Sequence, residues 1–216
     1  MPGKAAIYED GGMNKPLAID LYAGLGGWAE GLLDAGFEVI GFDIEPWPYP
    51  GQLVLQDVLT LDGSRFKHVV VIVASPPCQA YSYRAMPWKR AKALPPPDNT
   101  LFDACFRIQQ EASEAAGHHI PMIVENVKGA QKWVGRAKWH YGSYYLWGDV
   151  PALMPMTGGR YKAIKNNGGS WFNDEKGGMR RFSSHSKARK QVSAMIAKIP
   201  FPLAQHIARV FKENGN

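Results

Sequence analysis

Cysteine is nearly absent: Cys78 and Cys105 are the only two in 216 residues. Two thiols leave neither a disulfide scaffold nor a cysteine-built zinc site, and such usage suits a reducing cytoplasm. No apolar run approaches the roughly eighteen residues of a membrane span, so no membrane partner is expected. The stretch Met1 to Asn14 lacks the charged start and apolar run of a secretory signal. No internal repeat is visible. His118 and His119, just before Pro121, read as part of a loop, and no metal is expected.

What is present is an ordinary globular composition, 45% hydrophobic, in a length that suits one α/β domain or one domain plus a small lobe. Its charge is unevenly spread. Residues 1–127 carry 9 basic and 15 acidic residues, whereas 128–190 carry 13 basic and 3 acidic. An acidic front half followed by a basic segment fits a small-molecule site joined to a polyanion-binding surface, or a basic face that is merely solvated.

Short apolar runs alternate with helical spacing. Leu17 to Ala23 reads as a buried strand, Gly26 to Ala35 as a helix capped by Gly36, and Phe37 to Phe42 as a second strand. Leu53 to Leu55, Val69 to Ala74, Pro121 to Val124 and Tyr144 to Trp147 read as further strands. Leu101, Cys105, Ile108, Ala112 and Ala115 recur at helical spacing and predict one buried stripe. Residues 157–190 show no clear period and read as loops or a mobile lobe. A last helix starts near Pro202, with Leu203, Ile207 and Val210 on one face. Such alternation predicts a parallel α/β sheet with helices on both faces.

Three sets of residues carry chemistry. Asp20, Tyr22, Gly24 and Gly26 lie where a strand gives way to a helix, and glycines there let backbone approach a ligand. This is not the GxGxxG fingerprint. Asp43, ending the next strand, is placed to accept from ribose hydroxyls, and Asp57, after the third, from an adenine amino group. One glycine turn with two acids suits a nucleoside cofactor without a pyrophosphate. Ser75-Pro76-Pro77-Cys78-Gln79 ends another strand, with prolines fixing the direction of a nucleophilic thiol. Glu125-Asn126-Val127 ends a third, where a carboxyl could share a proton with a ring nitrogen. Cys105, on the helix stripe, reads as a structural thiol.

Together these residues resemble the family of 5-cytosine DNA methyltransferases, from about residue 17 to 150, with a further echo at 199–208. The resemblance implies a Rossmann-like methyltransferase fold of S-adenosylmethionine-dependent enzymes, with a mostly parallel sheet, helices on both faces and a small irregular basic lobe. It implies that Asp20, Tyr22, Gly24, Gly26, Asp43, Ile44, Asp57, Pro77 and Leu101 hold S-adenosylmethionine. Cys78 would attack carbon 6 of a cytosine swung out of double-stranded DNA, with Glu125 on the ring nitrogen and Pro77 and Asn126 beside them. Enzymes that methylate exocyclic amines place an aromatic where Cys78 stands, which argues against amine methylation.

The loop after Cys78 is expected to close on DNA through Gln79, Tyr81, Tyr83, Arg84, Lys89 and Arg90, with Trp88 and Lys92 beside them. Three departures stand out. The family's Gln-x-Arg-x-Arg stretch reads Trp139-His-Tyr-Gly-Ser143 here, so Arg136, Lys138 or His140 would have to substitute. The family's late Gly-Asn is Ile196-Ala197. Only 51 residues separate Gly148 from Pro200, where the family inserts a larger recognition domain. The expected organisation is a catalytic and cofactor domain at 1–150, a small basic recognition segment at 151–198 and a helix packing back at 199–216. Arg160, Lys162, Arg180 and Arg181 would touch phosphate. A monomer of the compact phage or prophage kind, working in the cytoplasm, is the expectation. RNA or an already modified cytosine as substrate, or a catalytically weak DNA-binding protein, are the alternatives.

Overall fold

The computed structural model describes residues 15–82, 95–155 and 186–214. These form a mixed α/β fold around one seven-stranded sheet. In chain order the strands are β1 (Leu17–Leu21), β2 (Glu38–Asp43), β3 (Gln52–Leu55), β4 (Val71–Ala74), β5 (Met122–Asn126), β6 (Trp139–Tyr141) and β7 (Tyr144–Gly148). The helices are α1 (Gly27–Asp34), α2 (Thr100–Ala116), the short α3 (Gln131–Val134), α4 (Lys187–Ala197) and α5 (Phe201–Asn214). The strand order is β3-β2-β1-β4-β5-β7-β6. The first five are parallel, and β7 and β6 are added antiparallel as a hairpin. No described helix is long and apolar enough to cross a membrane.

β1, β4 and β5 are covered on both faces, which explains their uninterrupted apolar runs. On one face α2 buries Phe102, Cys105, Ile108 and Ala112 against Ile19, Ile72 and Val124. On the other, α1 and α5 bury Trp28, Leu32, Leu203, Ile207 and Phe211 against Ala18, Val71 and Ile123. Each fully buried Leu or Ile contributes about 1.5–3 kcal/mol. α5 crosses α1 backbone to backbone. A Cβ at Gly31 would stand 2.5 Å from the Ala204 Cβ, so only glycine permits the approach.

Several boundaries differ from the sequence reading. β1 stops at Leu21 because Tyr22 takes a left-handed backbone, φ +60°. The α2 stripe starts at Phe102, whose ring meets Trp147 edge-on at 5.4 Å, and ends at Ala112; Leu101 is half-buried and Ala115 exposed. In α5 the buried face is completed by Ala204, Ala208 and Phe211, while Val210 is only half-buried. Strand β6 was not expected. Helix α4 begins at Lys187, inside the stretch read as loops, and docks through Lys190, which pairs with Glu45 and lies 5.8 Å from the Trp47 ring centre.

Candidate active site

The candidate residues gather at the carboxyl ends of β1, β2, β4 and β5. After β1 the chain passes through three left-handed positions, Tyr22 (φ +60°), Gly24 (φ +49°) and Gly26 (φ +70°), before α1 begins. Left-handed backbone is costly for a tyrosine. Two interactions offset that cost: the Tyr22 hydroxyl donates to the Leu101 carbonyl at 2.8 Å, and the Ala23 N–H donates to Phe42 O at 3.0 Å. Burial pushes the Tyr22 phenol far above its ordinary range, so it stays a donor. Gly26 is needed for contact, since a Cβ there would meet Pro50 Cγ at 2.9 Å. Gly24 differs: a Cβ would find only Tyr22 O, at 3.9 Å, so its outer side is open.

Asp43 closes this turn. Its Oδ2 accepts from Gly24 N and its Oδ1 from Glu45 N, both at 2.9 Å, and each oxygen keeps a lone pair for a further donor. Ile44, next in the chain, is 70% exposed. Asp20, on the neighbouring strand β1 opposite Gly41, is fully buried. Its Oδ2 accepts from the Tyr49 hydroxyl at 3.1 Å, while its Oδ1 has no partner among the described residues. Burial above all raises its pKa; the nearby Asp43 charge raises it further and the Tyr49 hydrogen bond opposes this.

Cys78 is half-buried between exposed Pro77 and Gln79. The loop carrying it is fixed from two sides. Ser75 donates its N–H to Leu21 O at 3.1 Å and accepts from the Trp28 indole at 3.0 Å. The Pro76 carbonyl accepts from Asn126 Nδ2 at 2.9 Å, in a buried hydrogen bond. Because β4 and β5 are neighbours in register, this bond joins the Cys78 loop to the strand end that holds buried Glu125.

The chain matches the C-5 cytosine-specific DNA methylase family over residues 17–136, more than half its length and every residue just described. It belongs to that family. Comparison with curated protein sequences gives no significant match. Among solved structures, Dnmt2 methyltransferase from S. pombe is 18% identical (TM-score 0.39), covering 55% of this chain and 36% of its own. A putative DNA modification methyltransferase from an E. coli prophage is 21% identical (TM-score 0.38), covering 56% and 34%. The Entamoeba histolytica methyltransferase EhMeth is 13% identical (TM-score 0.44), covering 67% and 57%. The chain thus spans about a third to just over half the length of those proteins, and its family assignment rests on the sequence match.

Some of the expected site residues make structural contacts. Asn126 spends its amide on the Pro76 carbonyl and its Oδ1 on Val127 N at 2.8 Å, so it positions the Cys78 loop. Tyr81, expected on the nucleic-acid face, is buried to 3% in the core on the α2 side, and its hydroxyl donates to Asn99 at 2.9 Å. Asp57 is exposed, but its Oδ1 caps the following turn through Leu59 N at 2.9 Å. Arg136 and Lys138 are exposed on the approach to β6. Tyr83, Arg84, Trp88, Lys89, Arg90 and Lys92 lie outside the described residues, as do Arg160, Lys162, Arg180, Arg181 and most of the segment 151–198.

Sequence reasoning missed Tyr49, whose donation to Asp20 no local pattern announces. It also missed Arg107 and Glu111. Arg107 donates to the Leu59 and Leu61 carbonyls at 3.3 and 3.0 Å, and Glu111 accepts from Gly63 N at 2.7 Å. Together they pin the loop that carries Asp57. Their i, i+4 spacing on α2 was the available signal.

Proposed function

We propose that this chain transfers a methyl group from S-adenosylmethionine to carbon 5 of cytosine in DNA, through a covalent Cys78 adduct on a flipped-out base. The residues present fit that cofactor. The unpartnered Asp20 Oδ1 asks for a donor such as an ammonium, the open side of Gly24 leaves room beside the backbone, and Asp43 retains lone pairs for ribose hydroxyls. Ile44, Leu101 and Pro77 would supply apolar walls. When bound, the cofactor supplies an electrophilic methyl group on a sulfonium.

The protein's own residues do the rest. The Cys78 thiolate adds to carbon 6 of the ring, opening the 5,6 double bond. Glu125 holds a proton at the ring nitrogen beside the exocyclic amine and so stabilises the electron density that addition pushes into the ring. Carbon 5 becomes nucleophilic and is methylated. Loss of its proton then expels Cys78 as thiolate and restores the double bond. The observation that carries this reading is the buried Asn126–Pro76 hydrogen bond, which unites the thiol loop and the Glu125 strand end in one site.

Methyl incorporation from labelled cofactor tests the reading. Label should enter cytosine-containing DNA with the wild type and not with Cys78→Ala. Label entering RNA alone would move the substrate to RNA, and label entering neither would contradict the enzyme reading.

A further inference from the structure

Tyr49 belongs to no motif, yet the fold makes a slot for its ring. A Cβ at Gly41 would stand 2.6 Å from Tyr49 Cζ, and one at Gly26 3.1 Å from its Cδ2. Bare backbone at both positions therefore fixes where the ring lies. Gly41 is the register partner of Asp20, so the slot delivers the hydroxyl to that carboxylate, and it donates to Oδ2 at 3.1 Å. Burial above all, with the Asp20 charge adding to it, pushes the Tyr49 phenol far above its ordinary range. The hydroxyl thus stays a donor. Asp20 Oδ1 has no partner among the described residues. The Tyr49 ring also lines a cleft of about 490 Å³ beside the glycine turn, with Leu25, Pro48, Pro50 and the Glu30–Lys198 ion pair. One side chain therefore borders an open space and holds the buried acid.

We propose that Tyr49 is a positioning residue for the methyl donor: by fixing one oxygen of Asp20 it presents the other to the ammonium group of S-adenosylmethionine. The inference rests on the cofactor reading above and names the residue that acts through Asp20. A buried carboxylate without a donor gives up its charge by taking a proton, and a neutral acid holds an ammonium poorly. The Tyr49 hydrogen bond favours the charged form of Asp20 and opposes the effect of burial. Of the other groups around Asp20, Asp43 on β2 disfavours its charge. Glu30 and Lys198 at the cleft are paired with each other, and β4 sets apolar Val73 beside it.

The test is isothermal titration of the full chain with S-adenosylmethionine, S-adenosylhomocysteine and methylthioadenosine, the last of which lacks the arm that bears the ammonium. Tyr49→Phe keeps the ring in its slot and removes only the hydroxyl. It should weaken binding of the first two by roughly tenfold or more, the worth of a hydrogen bond to a charged group, and leave methylthioadenosine within about twofold. Affinity for S-adenosylmethionine should fall as acid protonates Asp20, and in Tyr49→Phe that fall should begin at a pH higher by about one unit. In an Asp20→Asn background the same substitution should cost no more than about twofold, because Tyr49 acts through the charge that is gone. Equal losses on all three ligands, an unmoved pH profile, or losses that simply add to those of Asp20→Asn would overturn the proposal while leaving the cofactor reading intact. A wild type that binds none of the three overturns both. Tyr49-dependent binding without methyl incorporation into any nucleic acid supports the positioning role and counts against the proposed reaction alone.

Discussion

Asp20→Asn should make the ligand-free protein more stable at neutral pH while weakening its hold on S-adenosylmethionine. In the wild type a fully buried carboxylate has one oxygen satisfied by Tyr49 and the other without a partner among the described residues. Leaving a buried acceptor unmatched costs about 1–3 kcal/mol, and more when it is charged. Asparagine keeps an amide oxygen for Tyr49 and leaves its amide nitrogen as the unmatched group, so the gain at pH 7 is that of removing the charge, at most about 1.4 kcal/mol for each pH unit above the ordinary carboxylate value. In a chain of this length each kcal/mol moves Tm by about 2–4 °C.

The pH dependence gives the sharper signature. Burial raises the folded-state pKa of Asp20 above its unfolded value. Between the two values the folded protein holds more protons, so its stability falls as pH rises through that window. Asp20→Asn lacks this component. The two proteins should therefore differ least at the acid end, since Asp20 is protonated in both states only below the ordinary carboxylate pKa of about 3.9, and diverge toward neutrality by no more than about 1.4 kcal/mol per pH unit. Thermal unfolding across pH 4–8 measures the divergence. Isothermal titration with the cofactor should show affinity reduced by roughly tenfold or more, the worth of a hydrogen bond to a charged group. Parallel pH curves, or a variant less stable throughout, would refute the reasoning.

Three further outcomes follow from the packing. Asn126→Ala should lower unfolding free energy in urea by about 1–3 kcal/mol, because the buried Pro76 carbonyl loses its donor; an unchanged midpoint would contradict that role. Gly31→Ala should cost about 1–3 kcal/mol, since the Ala204 backbone cannot move aside without parting α1 from α5; a neutral calorimetric result would mean the helices are not so tightly crossed. Burial pushes the Cys105 thiol above its ordinary range, so iodoacetamide should modify half-exposed Cys78 first and Cys105 only on unfolding, as read by mass spectrometry.

The parts legible in the sequence are those where one physical cause dominates. β4 is an apolar tetrapeptide because the sheet buries both its faces, and the Cys78 and Glu125 motifs mark the ends of adjacent parallel strands. Long-range polar pairings were not legible. Tyr49 reaches Asp20 across 29 residues and Tyr22 reaches Leu101 across 79, and neither leaves a periodic trace. Tyr81 was ambiguous because an aromatic in a loop beside basic residues fits a binding surface as well as a core; its burial and its hydrogen bond to Asn99 are features of the fold. β6 escaped notice because three residues at a sheet edge, two of them exposed, show no alternation.

The central claim is a covalent route through Cys78, and trapping tests it most directly. DNA containing 5-fluorocytosine is incubated with the protein and S-adenosylmethionine, then run on a denaturing gel. Fluorine cannot leave carbon 5 as a proton does, so the wild type should remain bound to the DNA as a slower-migrating adduct that Cys78→Ala does not form. Absence of any adduct, with cofactor binding demonstrated in the same sample, would contradict the account.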